Sequence, residues 1–200
     1  FQLINLFDEM VIKKTSSKSI SVKTNLGSSI EGNDNIVYTA INSLSDHIGK
    51  KIHCEVEIIK NIPLGGGLGG GSSNAAAALI GTNFIFKLGL SAQELMQLGE
   101  KLGADVPFFI FGKNAFASGT GEILIEEKKY IDDKYLLLFP QIHSSTKELF
   151  SKWDDLNESA QELILINEEN SFLPIFLDQN QEIKTIFHEL CESISFKLSG

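Results

Sequence analysis

The stretch Lys60-Asn61-Ile62-Pro63-Leu64-Gly65-Gly66-Gly67-Leu68-Gly69-Gly70-Gly71-Ser72-Ser73-Asn74-Ala75-Ala76-Ala77-Ala78 is the one around which the chain is organised. Six of the seven residues from Gly65 to Gly71 are glycine, with an apolar run in front and an alanine-rich run behind. Glycine carries no Cβ, so such a loop reaches positive φ and lets its backbone approach a ligand closely. Its amide N–H groups can then converge on an anion such as a phosphate chain. If Ser72 or Ser73 caps a helix, the free amides and partial positive charge of that terminus add to the attraction. The competing reading is a flexible Gly/Ser linker. A linker, however, needs neither a strand running in nor a close-packing helix running out.

The flanks supply both. From Ile52 to Ile58, Ile52, Cys54, Val56 and Ile58 alternate with His53, Glu55 and Glu57, the pattern of a half-buried strand. Behind the loop, Leu79, Ile80, Phe84 and Leu88 place a helix over about Ser73 to Leu88, stopped by Gly89. Upstream, Met10-Val11-Ile12 and Ile20-Ser21-Val22 read as strands. Asn33-Asp34-Asn35 supplies a cap for a helix carrying Ile36, Val37, Ala40, Ile41, Leu44 and Ile48, ended by Gly49. Downstream, Ser91-Ala92-Gln93-Glu94 is a capping box opening a helix with Leu95, Leu98 and Leu102 inward. After Ala104-Asp105-Val106-Pro107 come a short apolar strand over Phe108 to Phe111 and a hairpin through Ser118-Gly119-Thr120-Gly121. A strand from Glu122 to Ile125 follows. The charged stretch Glu126 to Asp133 marks a domain boundary, dividing residues 1–130 from 131–200. A strand over Tyr135 to Phe139 and helices around Thr146 to Trp153, Glu158 to Ile166, Phe172 to Leu177 and Glu182 to Glu192 fill the second part.

Two hundred residues with 42% hydrophobic and 22% charged side chains suffice for one large or two small domains with a packed core. The net charge of −9 argues against nucleic acid as a partner. It leaves nucleotides open, because a local nest of amides and a metal ion outweigh the global field. Cys54 and Cys191 follow no metal-ligand spacing and read as two buried thiols of a reducing, cytoplasmic compartment. His188 and Cys191, three apart on a helix, have no second pair with which to hold zinc. No apolar run reaches the ~18 residues of a membrane span. Phe1-Gln2-Leu3-Ile4 is neither a signal peptide nor an initiator methionine.

The glycines fit no common nucleotide motif. A P-loop needs Lys-Ser/Thr after its last glycine, whereas Gly71 is followed by Ser72-Ser73-Asn74. A dinucleotide fingerprint is met only trivially, without the acidic residue about 20 positions on.

Pro63 to Ala76, together with Asn33-Asp34-Asn35, Leu102-Gly103-Ala104-Asp105-Val106-Pro107-Phe108-Phe109 and Gly119-Thr120-Gly121-Glu122, resembles the GHMP kinases in motif order and spacing. The doubled glycine form is similar to the branch that acts on diphosphocytidyl-methylerythritol in the non-mevalonate route to isoprenoids. The resemblance implies an α+β fold of two domains. The first would be like domain 2 of ribosomal protein S5, with a left-handed β-α-β crossover, and the second ferredoxin-like. It implies transfer of the ATP γ-phosphoryl group to the 2-hydroxyl of that small-molecule substrate, with Mg²⁺, by a monomer or homodimer. Pro63, Leu64, Gly65, Gly66, Gly67, Leu68, Gly69, Gly70, Gly71, Ser72 and Ser73 would bind the ATP phosphates. Ser73 would touch the metal and Asp105 would be catalytic. Thr146 and Phe150 would lie where the family stacks an aromatic ring on cytosine.

Elementary chemistry agrees with these roles. An alcohol attacking phosphorus needs its proton accepted or oriented, and a nearby carboxylate can do either. The plain alternatives are a loop aspartate for Asp105 and a core ring for Phe150. The family's Lys-x-Asn strand and Tyr-His dipeptide would precede Phe1, and its third glycine loop would begin at Lys197-Leu198-Ser199-Gly200. These residues by themselves are accordingly expected to bind ATP weakly and turn over poorly. Rival functions are a sister kinase of the homoserine or mevalonate type and a non-catalytic nucleotide-binding module.

Overall fold

The computed structural model describes residues 1–27, 32–119, 121, 123–128, 134–139, 146–156, 158–167, 170–191 and 198–199. It divides into one unit of Phe1–Leu64 with Gly69–Asp133, and a second of Gly65–Leu68 with Lys134–Gly200. Thr120, Glu122, residues 129–133 of the expected boundary and residues 140–145 ahead of Thr146 lie outside the described residues.

The first unit is built on a three-stranded sheet in the order β1 (Glu9–Lys14), β3 (Cys54–Ile59), β2 (Ile20–Thr24). β1 runs antiparallel to β3, with Met10 opposite Ile58 and Ile12 opposite Val56. β2 runs parallel to β3, with Val22 opposite Val56. A parallel pair requires a crossover, and α1 (Ile36–His47) makes it. α1 starts where its sequence signals, for Asn35 Oδ1 accepts the Val37 N–H at 2.8 Å. β3 alternates as expected, with Cys54, Val56 and Ile58 buried and Glu55 and Glu57 exposed. Its inward residues meet Val37, Ala40, Ile41 and Leu44 of α1, and Ala75, Ala76, Ala78 and Leu79 of α2 (Gly70–Phe86). Each fully buried Ile or Leu contributes about 1.5–3 kcal/mol of transfer free energy. Cys54 belongs to this core, where burial pushes its thiol up to about 11 and leaves it inert.

α2 differs from expectation at both ends. Its N-cap is Gly69, so Ser72 and Ser73 lie within its first turn and neither caps it. Its C-cap is Lys87, left-handed at φ 54, two residues before Gly89. The Lys87 and Leu88 amides close the end on Phe84 and Asn83 carbonyls. The Asn83 side chain then brackets Leu90, accepting from its N–H and donating to its carbonyl. That bracket holds the exit, and the glycine follows it.

α3 (Ala92–Glu100) opens on the capping box, Ser91 and Glu94 each bonding the other's amide. The apolar stretch read as a strand over Phe108–Phe111 is instead the helix α4 (Val106–Phe111). The aromatic and β-branched residues suggested a strand, but Pro107 in the first turn and a left-handed Gly112 bound a single short helix. Val106 and Ile110 then seat against Gly99 of α3. Beyond it, β4 (Ala115–Ser118) and β5 (Ile123–Glu126) form the hairpin, Phe116 opposite Ile125.

The second unit carries α5 (Thr146–Asp154), α6 (Glu158–Asn167), α7 (Leu173–Gln179) and α8 (Gln181–Cys191). Leu149, Ile175, Phe176 and Leu177 make its core. Residues 134–139 form no strand. A strand needs a sheet neighbour, and neither sheet among the described residues includes this segment. The ferredoxin-like sheet implied for this part has no described counterpart. Cys191 is exposed rather than buried, and neither cysteine is bridged.

Candidate active site

The site grows out of the turn between β3 and α2. Gly69 adopts φ +65, and a Cβ there would stand 2.8 Å from the Phe109 ring, so only glycine fits. The turn sets the axis of α2, and the amides of its first turn have no acceptor within the helix. Seventeen residues of aligned peptide dipoles add partial positive charge at the same point. Of the two serines, Ser73 donates its hydroxyl proton to Gly70 O at 3.0 Å, leaving oxygen lone pairs free. Ser72 Oγ faces Gly103, 3.8 Å from where a Cβ would be.

That contact brings the second motif to the first. Gly103 and Ala104 lead into Asp105, the residue preceding α4, which is half-buried. Its side chain makes no capping hydrogen bond, and no ion pair engages it among the described residues. Gly121, at φ +120, lies against the Ala104 carbonyl, 3.1 Å from a notional Cβ. A side chain there would force the hairpin away from Asp105. The helix terminus, the Asp105 loop and the glycine turn of the hairpin thus converge within the first unit.

Residues Gly65–Leu68 group with the second unit, where Gly67 O accepts from Ser199 Oγ at 2.9 Å. Pro63 and Leu64 belong to the first unit, Leu64 exposed. Phe150 of α5 is 53% exposed, and its ring packs edge-on against Phe172 at 4.8 Å. Thr146 opens α5, and its side chain lies outside the described residues.

Sequence reasoning missed a buried polar cluster beside the loop. Lys60 forms an ion pair with Asp8, their side chains only 5% and 1% exposed. Asn74 joins both. The available signals were an acidic pair, Asp8-Glu9, in the otherwise largely apolar run Leu3–Ile12 and a lysine just ahead of the glycines.

Metal donors are few. Among the described residues no cluster of three or more His, Cys, Asp or Glu side chains forms. The oxygens at hand are the Ser72 and Ser73 hydroxyls and the Asp105 carboxylate. Such a set fits magnesium, which is held by one or two protein oxygens together with nucleotide phosphates and water.

Residues 35–113 match the family model described as the GHMP kinases N terminal domain. The 4-diphosphocytidyl-2-C-methyl-D-erythritol kinase of Francisella tularensis subsp. novicida (strain U112) is 37% identical over the whole of this chain and 74% of its own length. The chain belongs to the GHMP kinase family. The Pseudoalteromonas atlantica kinase of the same name is 41% identical over 77% of this chain, which spans about half of it (53%). A crystal structure of 4-(cytidine 5'-diphospho)-2C-methyl-D-erythritol kinase superposes with a TM-score of 0.64 at 28% identity. It covers 90% of this chain and 67% of the other. Like other members of the GHMP kinase family, the chain has a mixed helix-and-sheet fold. No described helix is long and apolar enough to cross a membrane.

Proposed function

We propose that this chain belongs to a kinase that transfers the γ-phosphoryl group of ATP to the 2-hydroxyl of 4-diphosphocytidyl-2-C-methyl-D-erythritol. The observation that carries this is the convergence of the α2 N-terminus with the Asp105 loop through Ser72 and Gly103, in a chain whose named relatives are kinases of that alcohol.

In this reading the amides of Gly70, Gly71 and Ser72 hold the β- and γ-phosphates, exchanging water for fixed donors at no reorganisation cost. Pro63, Leu64 and Gly69, of the same unit, shape the wall of the cradle. Asp105, uncapped and half-buried, accepts or orients the proton of the acceptor hydroxyl. The hydroxyl oxygen forms its bond to the γ-phosphorus as the bond to the β–γ bridging oxygen breaks, and ADP leaves. Magnesium, held by the phosphates with Ser73, would neutralise charge on the phosphate oxygens. Phe150 offers a ring face on which the cytosine stacks, with Thr146 beside it in sequence. The enzyme acts in the cytoplasm on a small molecule, as a monomer or homodimer.

Full-length protein, ATP and each candidate alcohol test the reading. Turnover with the cytidine-bearing acceptor and not with homoserine or mevalonate supports it, whereas preference for either of those overturns the substrate assignment. ATP binding without turnover on any of the three would leave a nucleotide-binding module.

A further inference from the structure

Asp8 carries a carboxylate that the phosphoryl-transfer chemistry does not use, yet it is almost wholly buried. Between them its two oxygens reach both ends of the glycine loop. Oδ1 accepts the N–H groups of Asn61 at 2.7 Å and Ile62 at 2.8 Å, in the segment running into the loop. Oδ2 accepts from Lys60 Nζ, at the incoming end, and from Asn74 Nδ2 at 2.9 Å, in the first turns of the helix running out. Lys60 Nζ in turn donates to Asn74 Oδ1 at 2.9 Å, closing the triangle. The cluster touches the helix start itself. A Cβ at Gly70 would stand 2.9 Å from Ile62 Cγ2 and 3.5 Å from Lys60 Nζ.

Stability alone is a poor reason for this arrangement. Burying two charges costs about as much as their attraction returns, and well-packed apolar residues often do as well. What the carboxylate supplies and an apolar residue could not is simultaneous acceptance from both ends of the loop. Ends held at fixed separation remove conformers from the intervening glycines, whose backbone freedom is the largest of any residue. They also fix the direction in which the first amides of α2 point.

We propose that Asp8 is a positioning residue of the phosphate cradle. It acts through Asn61, Ile62 and Asn74, setting the distance between the loop's two ends and so the aim of the Gly70–Ser72 amides. This rests on reading the loop as a nucleotide-phosphate site.

The test uses the full-length protein, ATP titrated by calorimetry and steady-state kinetics. Removing Lys60 together with Asp8 avoids stranding a buried cation, so the variants are D8A/K60M, D8N/K60M and N74A. D8A/K60M loses the amide clamp and is expected to weaken ATP binding about tenfold or more, with the acceptor KM changed by less than about threefold. D8N/K60M keeps an acceptor oxygen for Asn61 and Ile62, and is expected to recover ATP affinity to within about threefold of wild type. N74A, which releases only the outgoing end, is expected to cost about threefold or more and decides the matter should D8A/K60M not fold. Unchanged ATP affinity in D8A/K60M or N74A would overturn the proposal. So would a D8N/K60M variant no better than D8A/K60M, or equal rises in both KM values. A wild-type protein that binds ATP but phosphorylates no alcohol would sink the kinase reading while leaving this comparison decisive. One that binds no ATP would remove both.

Discussion

Phe109 occupies the space in which a side chain at Gly69 would have to stand, its ring 2.8 Å from a notional Cβ. The two residues are 40 positions apart in sequence. Their contact fixes the turn that launches α2, and with it the direction of the helix's unpaired amides.

G69A is therefore expected to fail twice. The substitution strains a backbone held at φ +65 and drives a methyl group into the ring. Together these are expected to destabilise the first unit by about 1–3 kcal/mol and to weaken ATP binding. Thermal unfolding and calorimetry check both. F109L added to G69A should recover part of the stability, since it relieves the clash and leaves the dihedral strain.

Acid should reveal the Asp8 cluster. Burial pushes the Asp8 carboxyl up, but hydrogen bonds from the Ile62 amide, Lys60, the Asn61 amide and Asn74 together outweigh it and hold it below its ordinary 3.8. A group depressed in the folded state stabilises above its unfolded value and loses that contribution as pH falls through the folded one. The stabilisation is thus complete above 3.8 and drains away at lower pH. In melting curves taken from about pH 5 down to about pH 2, the wild type should lose Tm more steeply than D8N/K60M, which has nothing to titrate there. Parallel acid limbs would contradict this.

Much of this architecture is legible in the sequence, for physical reasons that differ by element. Alternation in Cys54–Ile58 and the Asn35 and Ser91 caps are local signals, and the structure follows them. Phe108–Phe111 misleads because residues of strand propensity serve equally in a short buried helix, and only packing on Gly99 decides. Tyr135–Phe139 misleads because a strand is a property of a pair rather than of a segment. Within the site, the glycines and Asp105 stand out by composition and motif. The Asp8–Lys60–Asn74 cluster does not, since 52 and 66 residues separate Asp8 from its partners and no local pattern encodes such contacts.

Phe150 is a test of the second unit. With more than half its surface exposed and, among the described residues, only the Phe172 ring stacked edge-on against it, it contributes little to the Leu149–Phe176 core. F150A is expected to leave the melting temperature nearly unchanged. Losing a stacking partner costs about 1–3 kcal/mol per base, so the acceptor KM should rise about five- to 150-fold while the ATP KM holds. Equal effects on both substrates would return Phe150 to a structural role.

The proposed role of Asp105 in the chemical step can be tested directly. D105N preserves shape and removes the charge, so binding of ATP should change by less than about threefold. Losing general-base assistance should lower kcat by about 10²–10⁴-fold. Single-turnover rates together with calorimetric ATP affinities separate the two. A variant that keeps its rate would show that Asp105 is not the group engaging the acceptor proton.

The most direct measurement is phosphoryl transfer from γ-labelled ATP by the full-length protein, offered 4-diphosphocytidyl-2-C-methyl-D-erythritol, homoserine and mevalonate in parallel. Label is expected on the 2-hydroxyl of the first and on neither of the others, with transfer abolished when magnesium is chelated. Label on homoserine or mevalonate in preference, or ATP bound with no label transferred to any alcohol, would contradict the assignment.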